Sequence, residues 1–183
     1  MSKRKKVIRK NFVSRLHLIA GGDNFRPHLD HIWFKNGFVY ATNAYCIIRQ
    51  SLEFNGFTDA EIELMNGNAI HKKQFQQIIK HDRIAATADG IFADDTLYKW
   101  VKTEKDYPDA EAFIKKELAA EIDWVEKIGL KPNLITLACK AMYNPFPGIL
   151  VFGLVHKTKA VHISSPMHTA EQQICFLMPA ATE

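Results

Sequence analysis

The sequence predicts an α+β fold made of repeated units, each a helix followed by antiparallel strands. Strand-forming residues fill positions 29–34 and 38–49, on either side of Asn36-Gly37, which is a typical hairpin turn. Apolar residues also recur at helical spacing in three separate segments. Because each of these segments precedes a strand-rich stretch, we expect three units of about 50 residues, related by architecture rather than by sequence identity.

The first unit is predicted to run strand, helix, strands. Residues 6–9 fit an edge strand, and residues 12–20 have apolar side chains at helical spacing before Gly21 and Gly22 end the segment. The strands at 29–34 and 38–49 follow. Asn36-Gly37 between them supplies the positive φ angles that a tight turn requires.

The second unit repeats this order. Residues 68–70 lead into a helix at about 71–81, and strands are expected near 83–88, 90–94 and 96–102. The chain then turns at Tyr107-Pro108-Asp109. A helix over residues 111–128 is predicted from four apolar residues on one face, with Gly129 past its end. These four are Ile114, Leu118, Ile122 and Val125.

The third unit begins at Leu130, and Pro132 suits the first turn of its helix. The apolar stripe of this helix consists of Leu134, Leu137, Ala138 and Ala141. Strands are expected at about 148–156, 159–164 and 172–178, with a turn at 156–158. We therefore divide the chain into a basic arm (1–10), a two-unit domain (11–110), a linking helix (111–129) and a half domain (130–183).

The composition, 47% hydrophobic and 24% charged, is that of a soluble globular protein. No apolar run approaches the roughly 20 residues that span a bilayer, and residues 1–10 lack the apolar stretch of a secretory signal. Cys46, Cys139 and Cys175 lie in apolar segments without paired spacing, so buried reduced thiols are expected. These features favour a cytoplasmic location.

Positive charge is concentrated at one end of the chain. The net charge is +4, but residues 1–10 hold six of the 24 basic residues and no acid. The remainder, with 18 basic and 20 acidic residues, is slightly acidic. Binding to nucleic acid would therefore depend on the arm or on local patches, although a charged terminus is often only a solvated tail.

Motifs for catalysis and for metal or phosphate binding are absent from the sequence. The eight histidines include no helical ligand pair, and the cysteines do not complete a tetrahedral set. No nucleophile motif occurs, and Gly21-Gly22-Asp23 lacks the Lys of a phosphate loop. Asp94-Asp95 is interpreted as a turn rather than a cation site. We expect no metal, no cofactor and no enzymatic activity.

Four segments occur in an order and spacing that point to one family. They are residues 26–48, Ile70-His-Lys-Lys-Gln-Phe75, Tyr107-Pro-Asp-Ala-Glu-Ala-Phe-Ile114 and Phe176-Leu-Met-Pro179. Together they resemble the bacterial sliding clamp, the beta subunit of the replicative DNA polymerase. The first three match its middle domain, and residues 130–179 resemble the second half of its last domain. The resemblance implies a DNA-clamp-like fold that lacks the first domain and the first half of the last.

The resemblance also implies a groove for short peptides. In the family its walls come from the segment after an Ala-Thr-Asp motif and from the final strand. The corresponding positions here are Thr42, Ala44, Tyr45, Cys46, Ile47, Phe176 and Met178. Asn43, Tyr45 and Cys46 replace an acid and two basic or histidine residues, which makes the groove more apolar. The alternative is that Ile47, Phe176 and Met178 are only core residues.

A basic face is predicted for the segment 71–83. At 100° per residue, Lys72, Lys73, Lys80 and Arg83 fall within an arc of roughly 100°, beside an apolar arc of Phe75, Ile78 and Ile79. Lys131, Lys140 and Arg15 add cations from the other two helices. Such a face suits weak, salt-sensitive contact with phosphates, although an ordinary solvated face has the same pattern.

The function expected from the resemblance is that of a nonenzymatic, reduced relative of the processivity clamp. It would hold duplex DNA and tether a polymerase-type or other replication or repair protein that carries a short clamp-binding peptide. One and a half domains cannot close a ring, so encirclement requires a homo-oligomer. The alternative is a protein-interaction module with the same fold that has lost DNA binding.

Overall fold

The structure is a computed structural model that describes residues 11–101, 107–120, 128–143, 151–153, 160–166 and 168–179. The strands of the larger sheet are β1 His31–Lys35, β2 Phe38–Thr42, β3 Cys46–Ser51, β4 Ala69–His71, β8 Val151–Gly153, β9 Val161–Ser164 and β10 Gln173–Leu177. The smaller sheet contains β5 Ile84–Thr87, β6 Gly90–Ala93 and β7 Thr96–Lys99. The helices are α1 Asp59–Met65, α2 Lys72–Ile78, α3 Ala110–Leu118 and α4 Pro132–Ala141. The α+β prediction is therefore confirmed.

The larger sheet has the strand order β4-β1-β2-β3-β10-β9-β8, and all its pairs are antiparallel. Its central pair joins β3, from the first predicted unit, to β10, from the third, with Ile47 opposite Phe176. The smaller sheet has the order β5-β6-β7. Segments more than 120 residues apart in sequence thus meet at the middle of one sheet.

The Asn36-Gly37 hairpin is confirmed, with φ angles of 51° and 80° between β1 and β2. The flanking strands are shorter than predicted. Residues 27–30 form a 3-10 turn instead of the start of β1, and Asp30 accepts a hydrogen bond from the Gly22 backbone. The predicted strand 38–49 is broken by a turn at 43–45, because the Asn43 side chain accepts hydrogen bonds from the Tyr45 and Cys46 backbones.

One face of the larger sheet is covered by helices. A 3-10 turn at Leu16–Leu18 contacts α2 and α4, which pack against β1 and β4 and against β3 and β10 respectively. Leu16, Phe34, Phe75 and Ile48 are fully buried in this layer. The helix predicted over 12–20 is only this short turn, because Arg15 N donates to the Ala141 carbonyl and draws the backbone toward α4.

The opposite face of the sheet is covered by α3. Ala110 and Ile114 pack against Tyr40, Ile174 and Phe176 in a second apolar cluster. The predicted buried face of this helix is wrong at Leu118, which is 45% exposed, because Ala110, Ile114 and Glu117 turn toward the sheet instead. Ile122 and Val125 lie outside the described residues.

Helix α1 was not predicted, although its start carries a clear signal. Thr58 and Glu61 form a capping box, in which each side chain accepts a hydrogen bond from the other residue's backbone N–H. In α4, by contrast, the predicted stripe is confirmed: Leu134, Ala138 and Ala141 are buried, and Leu137 is half-buried against the same core. The predicted edge strand at 6–9 and turn at 156–158 lie outside the described residues.

Within the described part of the chain, no helix has the length and apolar character needed to cross a membrane.

Candidate peptide groove and basic face

A cavity of about 270 Å³ opens where β3 begins and β10 ends. Its lining is mostly apolar and comes from the segment before β1, the turn between β2 and β3, the start of α3 and the end of β10. The lining residues are Arg26, His28, Leu29, Thr42, Ala44, Cys46, Ile47, Pro108, Asp109, Ala110, Phe113, Phe176 and Met178. We call this cavity the groove.

The turn between β2 and β3 is held by its own polar side chains. Thr42 Oγ1 donates to the Cys46 carbonyl at 2.7 Å and accepts from Ala44 N at 3.1 Å. Ala44 has a φ of 72°, which directs the chain back into β3. Met178 N then donates to the Tyr45 carbonyl at 2.8 Å, so the pairing of β10 with β3 continues into the groove.

The third wall of the groove is the start of α3. Asp109 Oδ1 accepts from Ala112 N at 3.0 Å and caps the helix, and the Phe113 ring meets the Phe176 ring edge-on at 5.7 Å. Ala110 is buried in the same apolar cluster as Phe176, and Phe113 packs against that cluster. The groove is therefore formed by elements from all three predicted units of the chain.

A buried ionic cluster holds α3 in this position. Arg49 Nη1 lies 3.1 Å from both carboxylate oxygens of Glu111, and Arg49 Nη2 donates to the Ala170 carbonyl at 2.9 Å. Tyr40 Oη also donates to Glu111, at 2.7 Å. Burial, followed by the nearby Glu111 carboxylate, raises the pKa of Tyr40 far above its usual range, so the phenol remains a donor.

The structure brings six of the seven predicted groove residues to one cavity. Tyr45 is the exception, because its side chain is 51% exposed at the rim, with Lys131 Nζ 5.2 Å from the ring centroid. Phe176 is buried, as a core residue would be, whereas Ile47 is half-buried and Met178 is 40% exposed. A core role therefore describes Phe176 but not Met178.

Sequence reasoning missed seven lining residues. They are Arg26, His28, Leu29, Pro108, Asp109, Ala110 and Phe113. All seven belong to segments that carry the family resemblance, the run starting at Arg26 and the segment from Tyr107 to Ile114. The part of the run before Thr42 and the whole second segment were interpreted only as markers of the fold, since nothing local in the sequence shows that they meet β10.

The cysteines differ from the expectation at one position. Cys46 and Cys175 are buried, with their sulfurs 3.4 Å apart, but Cys139 is exposed because it lies on the side of α4 that faces away from the sheet. The hydrogen bond with Cys46 and burial both raise the pKa of Cys175, so its thiol stays protonated. This pair suits packing rather than nucleophilic chemistry.

One of the predicted basic residues is paired with an acid, whereas the other six are exposed. Lys72 Nζ forms an ion pair with Asp30 Oδ1, and both side chains are only about one-third exposed. Lys73, Lys80, Arg83, Arg15, Lys131 and Lys140 are exposed. The single helical arc predicted for the segment 71–83 is wrong, because α2 ends at Ile78. Lys80 and Arg83 lie beyond it, and Arg83 is next to β5.

His17 lies near two of the exposed cations, Arg15 and Lys80. Burial first, and then the charges of Arg15 and Lys80, lower the pKa of His17, which lies near both cations. Lys140 is exposed in the last turn of α4. Lys131 instead lies over the ring of Tyr45, the residue between the groove-lining Ala44 and Cys46.

The structure bears on two sites considered from the sequence, a metal-ion site and the Asp94-Asp95 turn. Within the described ranges, no cluster of three or more His, Cys, Asp and Glu residues has the geometry to hold a metal ion. Asp94 adopts a φ of 47° in the turn between β6 and β7, and its Oδ2 lies 2.7 Å from His81 Nδ1. The turn interpretation of Asp94 therefore agrees with its backbone geometry.

Comparison with known proteins identifies the fold. No protein-family model matches the sequence, and no curated protein matches it either. The structure matches DNA polymerase III subunit beta from Borrelia burgdorferi, solved in complex with a natural product, with a TM-score of 0.57 and 9% identity over 93% of this chain. It also matches a DNA polymerase III subunit beta sliding clamp from Bartonella birtlesii, solved bound to griselimycin, with a TM-score of 0.56 and 13% identity over 100% of this chain.

These alignments cover 61% of the Borrelia burgdorferi chain and 69% of the Bartonella birtlesii chain. The likeness extends through the larger part of this chain, including the sheets and helices that surround the groove. At 9% and 13% identity it establishes the architecture rather than the chemistry of any side chain. The chain therefore has the fold of the DNA polymerase III beta subunit, the bacterial sliding clamp.

Proposed function

We propose that this protein is a nonenzymatic clamp-like adaptor, which tethers a replication or repair partner by binding a short peptide of that partner in the groove. The observation that supports this best is the groove itself: an open, mostly apolar cavity at the junction of β3, β10 and α3. The adaptor would act in the cytoplasm, where its three thiols remain reduced.

The size and lining of the groove suit a peptide better than a cofactor. Its volume of about 270 Å³ lies just below the range of about 300–1,000 Å³ typical of small-molecule sites. It can therefore accept one or two apolar side chains such as Leu or Phe. Met178, with a flexible thioether side chain at the rim, can adapt to the shape of such an anchor.

The test is a binding titration with a fluorescent peptide that carries a Leu-Phe anchor. Met178→Glu should weaken binding at least about tenfold, because the anchor would meet a charge in an apolar site. Leu97→Glu is the matched control, since Leu97 is equally exposed but lies on β7 of the smaller sheet. Equal affinities of wild type and a folded Met178→Glu variant would reject the groove as the site.

We also propose that the helix layer contacts duplex DNA through Arg15, Lys73, Lys80 and Lys140. All four are exposed, and Arg15 and Lys80 lie close enough to influence the same histidine. Encirclement of DNA would require several copies of the chain, since it spans only part of the length of the clamps it resembles. Contacts of this kind bind phosphates without reading sequence.

The rival proposal is an interaction module that does not bind DNA, and the Lys72–Asp30 ion pair favours it by removing one cation from the face. Binding of labelled duplex over a range of salt concentrations separates the two proposals. Clamp-like contact predicts affinity that falls steeply with salt and drops several-fold in Lys73→Glu/Lys80→Glu, but not in Lys35→Glu, on the β1–β2 hairpin. Absence of binding at low salt would favour the rival.

A further inference from the structure

One end of the groove carries a cluster of cations around Tyr45. Arg26 and His28 line the cavity, and the Arg26 guanidinium lies near the Tyr45 side chain. On the ring face, Lys131 Nζ lies 5.2 Å from the centroid. Two cations, Arg26 and Lys131, therefore lie beside the exposed Tyr45 side chain.

The two cations differ in how far they are neutralised. Arg26 Nη2 and Nε donate to Asp23 Oδ2 at 2.7 and 3.2 Å, so most of the Arg26 charge is balanced locally. Lys131 has no carboxylate partner among the residues that the structure describes. A cation held over an aromatic ring keeps its charge and loses little of its ability to bind an anion.

Among the residues that the structure describes, the acidic groups that line or adjoin the groove do not neutralise Lys131. Asp109 lines the cavity from the α3 side, where its Oδ1 accepts the hydrogen bond that caps the helix. Glu111 is bound by Arg49 and Tyr40. Within the described part of the chain, the groove thus has an apolar centre, a helix-capping acid on the α3 side and a lysine without a carboxylate partner beside Tyr45.

We propose that the groove selects peptides in which an acidic residue flanks the apolar anchor, and that Lys131, held over Tyr45, recognises the carboxylate. This inference rests on the proposed peptide-binding function and adds a specificity determinant to it. The apolar anchor supplies most of the affinity by burial, whereas the exposed ion pair discriminates between flanking residues. Lys131 should therefore affect the choice of peptide more than binding as such.

The experiment uses three fluorescent peptides with one anchor: Gln-Ser-Leu-Phe-Ser-Gln, the same peptide with Glu at the first position, and the same peptide with Glu at the last. For the 183-residue chain at low ionic strength, one of the acidic peptides should bind about threefold to tenfold more tightly than the neutral one. The preference should shrink as salt is added, because the pair is exposed.

Variants of the protein test which residues cause the preference for an acidic peptide. Lys131→Gln should abolish the preference for an acidic peptide, Lys131→Glu should reverse it, and Tyr45→Ala should reduce it. Lys99→Gln, which changes an exposed lysine on β7, should leave the affinities of all three peptides unchanged.

Each outcome has one meaning. Equal binding of all three peptides to the wild type would overturn the acidic preference and leave the peptide groove intact. A preference that survives Lys131→Gln would overturn the role of Lys131. Failure of every peptide to bind the wild-type groove would reject the proposed function and this inference with it.

Discussion

At the residue scale, the cluster of Arg49, Glu111 and Tyr40 stabilises the fold and also holds α3 in its position at the groove. It joins two strands of the sheet, the start of α3 and the turn at Ala170 through four hydrogen bonds. The Arg49 guanidinium also lies 4.4 Å from the centre of the Phe38 ring. A charge in such surroundings is costly unless its partner is present.

We predict that Glu111→Ala lowers the free energy of unfolding by about 3 kcal/mol, because it leaves Arg49 buried without a counterion. Lys115→Ala is the control, since Lys115 is 75% exposed and lies 3.9 Å from the same carboxylate. It should cost well under about 1 kcal/mol. Urea unfolding of both variants measures the difference, and similar losses in the two would show that the buried cluster has no special role.

Two adjacent lysines show that the residue type alone does not predict whether a cation is free to bind a ligand. Lys72 and Lys73 are adjacent in sequence and equally basic, yet Lys72 is paired with Asp30 whereas Lys73 is exposed. Asp30 reaches Lys72 because the 3-10 turn at Pro27–Asp30 ends next to β4 and α2. Although burial acts in the opposite direction, the hydrogen bonds from Lys72 and Gly22 lower the pKa of Asp30 and keep it ionised.

At the element scale, α1 and α3 each begin with a polar side-chain cap. α1 has only seven residues, too few for a helix that is stable by itself, and its capping box satisfies backbone donors at its start. α3 relies on Asp109 in the same way. The difference is that Asp109 also lines the groove, whereas α1 packs near β5.

We predict that Thr58→Ala lowers the free energy of unfolding by about 1 kcal/mol through loss of the α1 cap. Affinity for the anchor peptide should not change, since α1 contributes no residue to the groove lining. Thr96→Ala, at an exposed position on β7, serves as the control for removal of a threonine side chain. A loss of peptide affinity in Thr58→Ala would indicate that α1 and the groove are coupled.

At the scale of the whole molecule, burial shifts many titrating groups in the same direction. Burial is the largest cause that lowers the pKa of five histidines below the ordinary value of 6.5: His17, His31, His71, His162 and His168. The unfolded chain therefore binds protons at a higher pH than the folded chain. Stability contributed by the neutral rings is present above pH 6.5 and is lost as the pH falls through 6.5 toward the lowered values.

We predict that the urea midpoint decreases between about pH 7.5 and pH 5.5, a window in which the carboxylates remain ionised. A midpoint that is constant or rises on acidification would contradict this account.

Local sequence signals predicted much of the fold. The Asn36-Gly37 turn, the strands of the smaller sheet, the stripe of α4 and the start of α2 all depend on residues within one turn or one hairpin of each other. The α1 capping box was equally visible in the sequence and was overlooked. Element ends were less predictable, since side chains such as Asn43 and Asp30 decide them by hydrogen bonds.

The sequence by itself determined the classes of element, their order and the family resemblance, because propensity, capping and turn geometry act over a few neighbouring residues. Only the tertiary structure decided that β3 pairs with β10, that α3 closes the groove with Pro108 and Phe113, and that Lys131 lies over Tyr45. These contacts join residues that are distant in the chain. They depend on how apolar faces are buried together, a property of the packed molecule that no single segment contains.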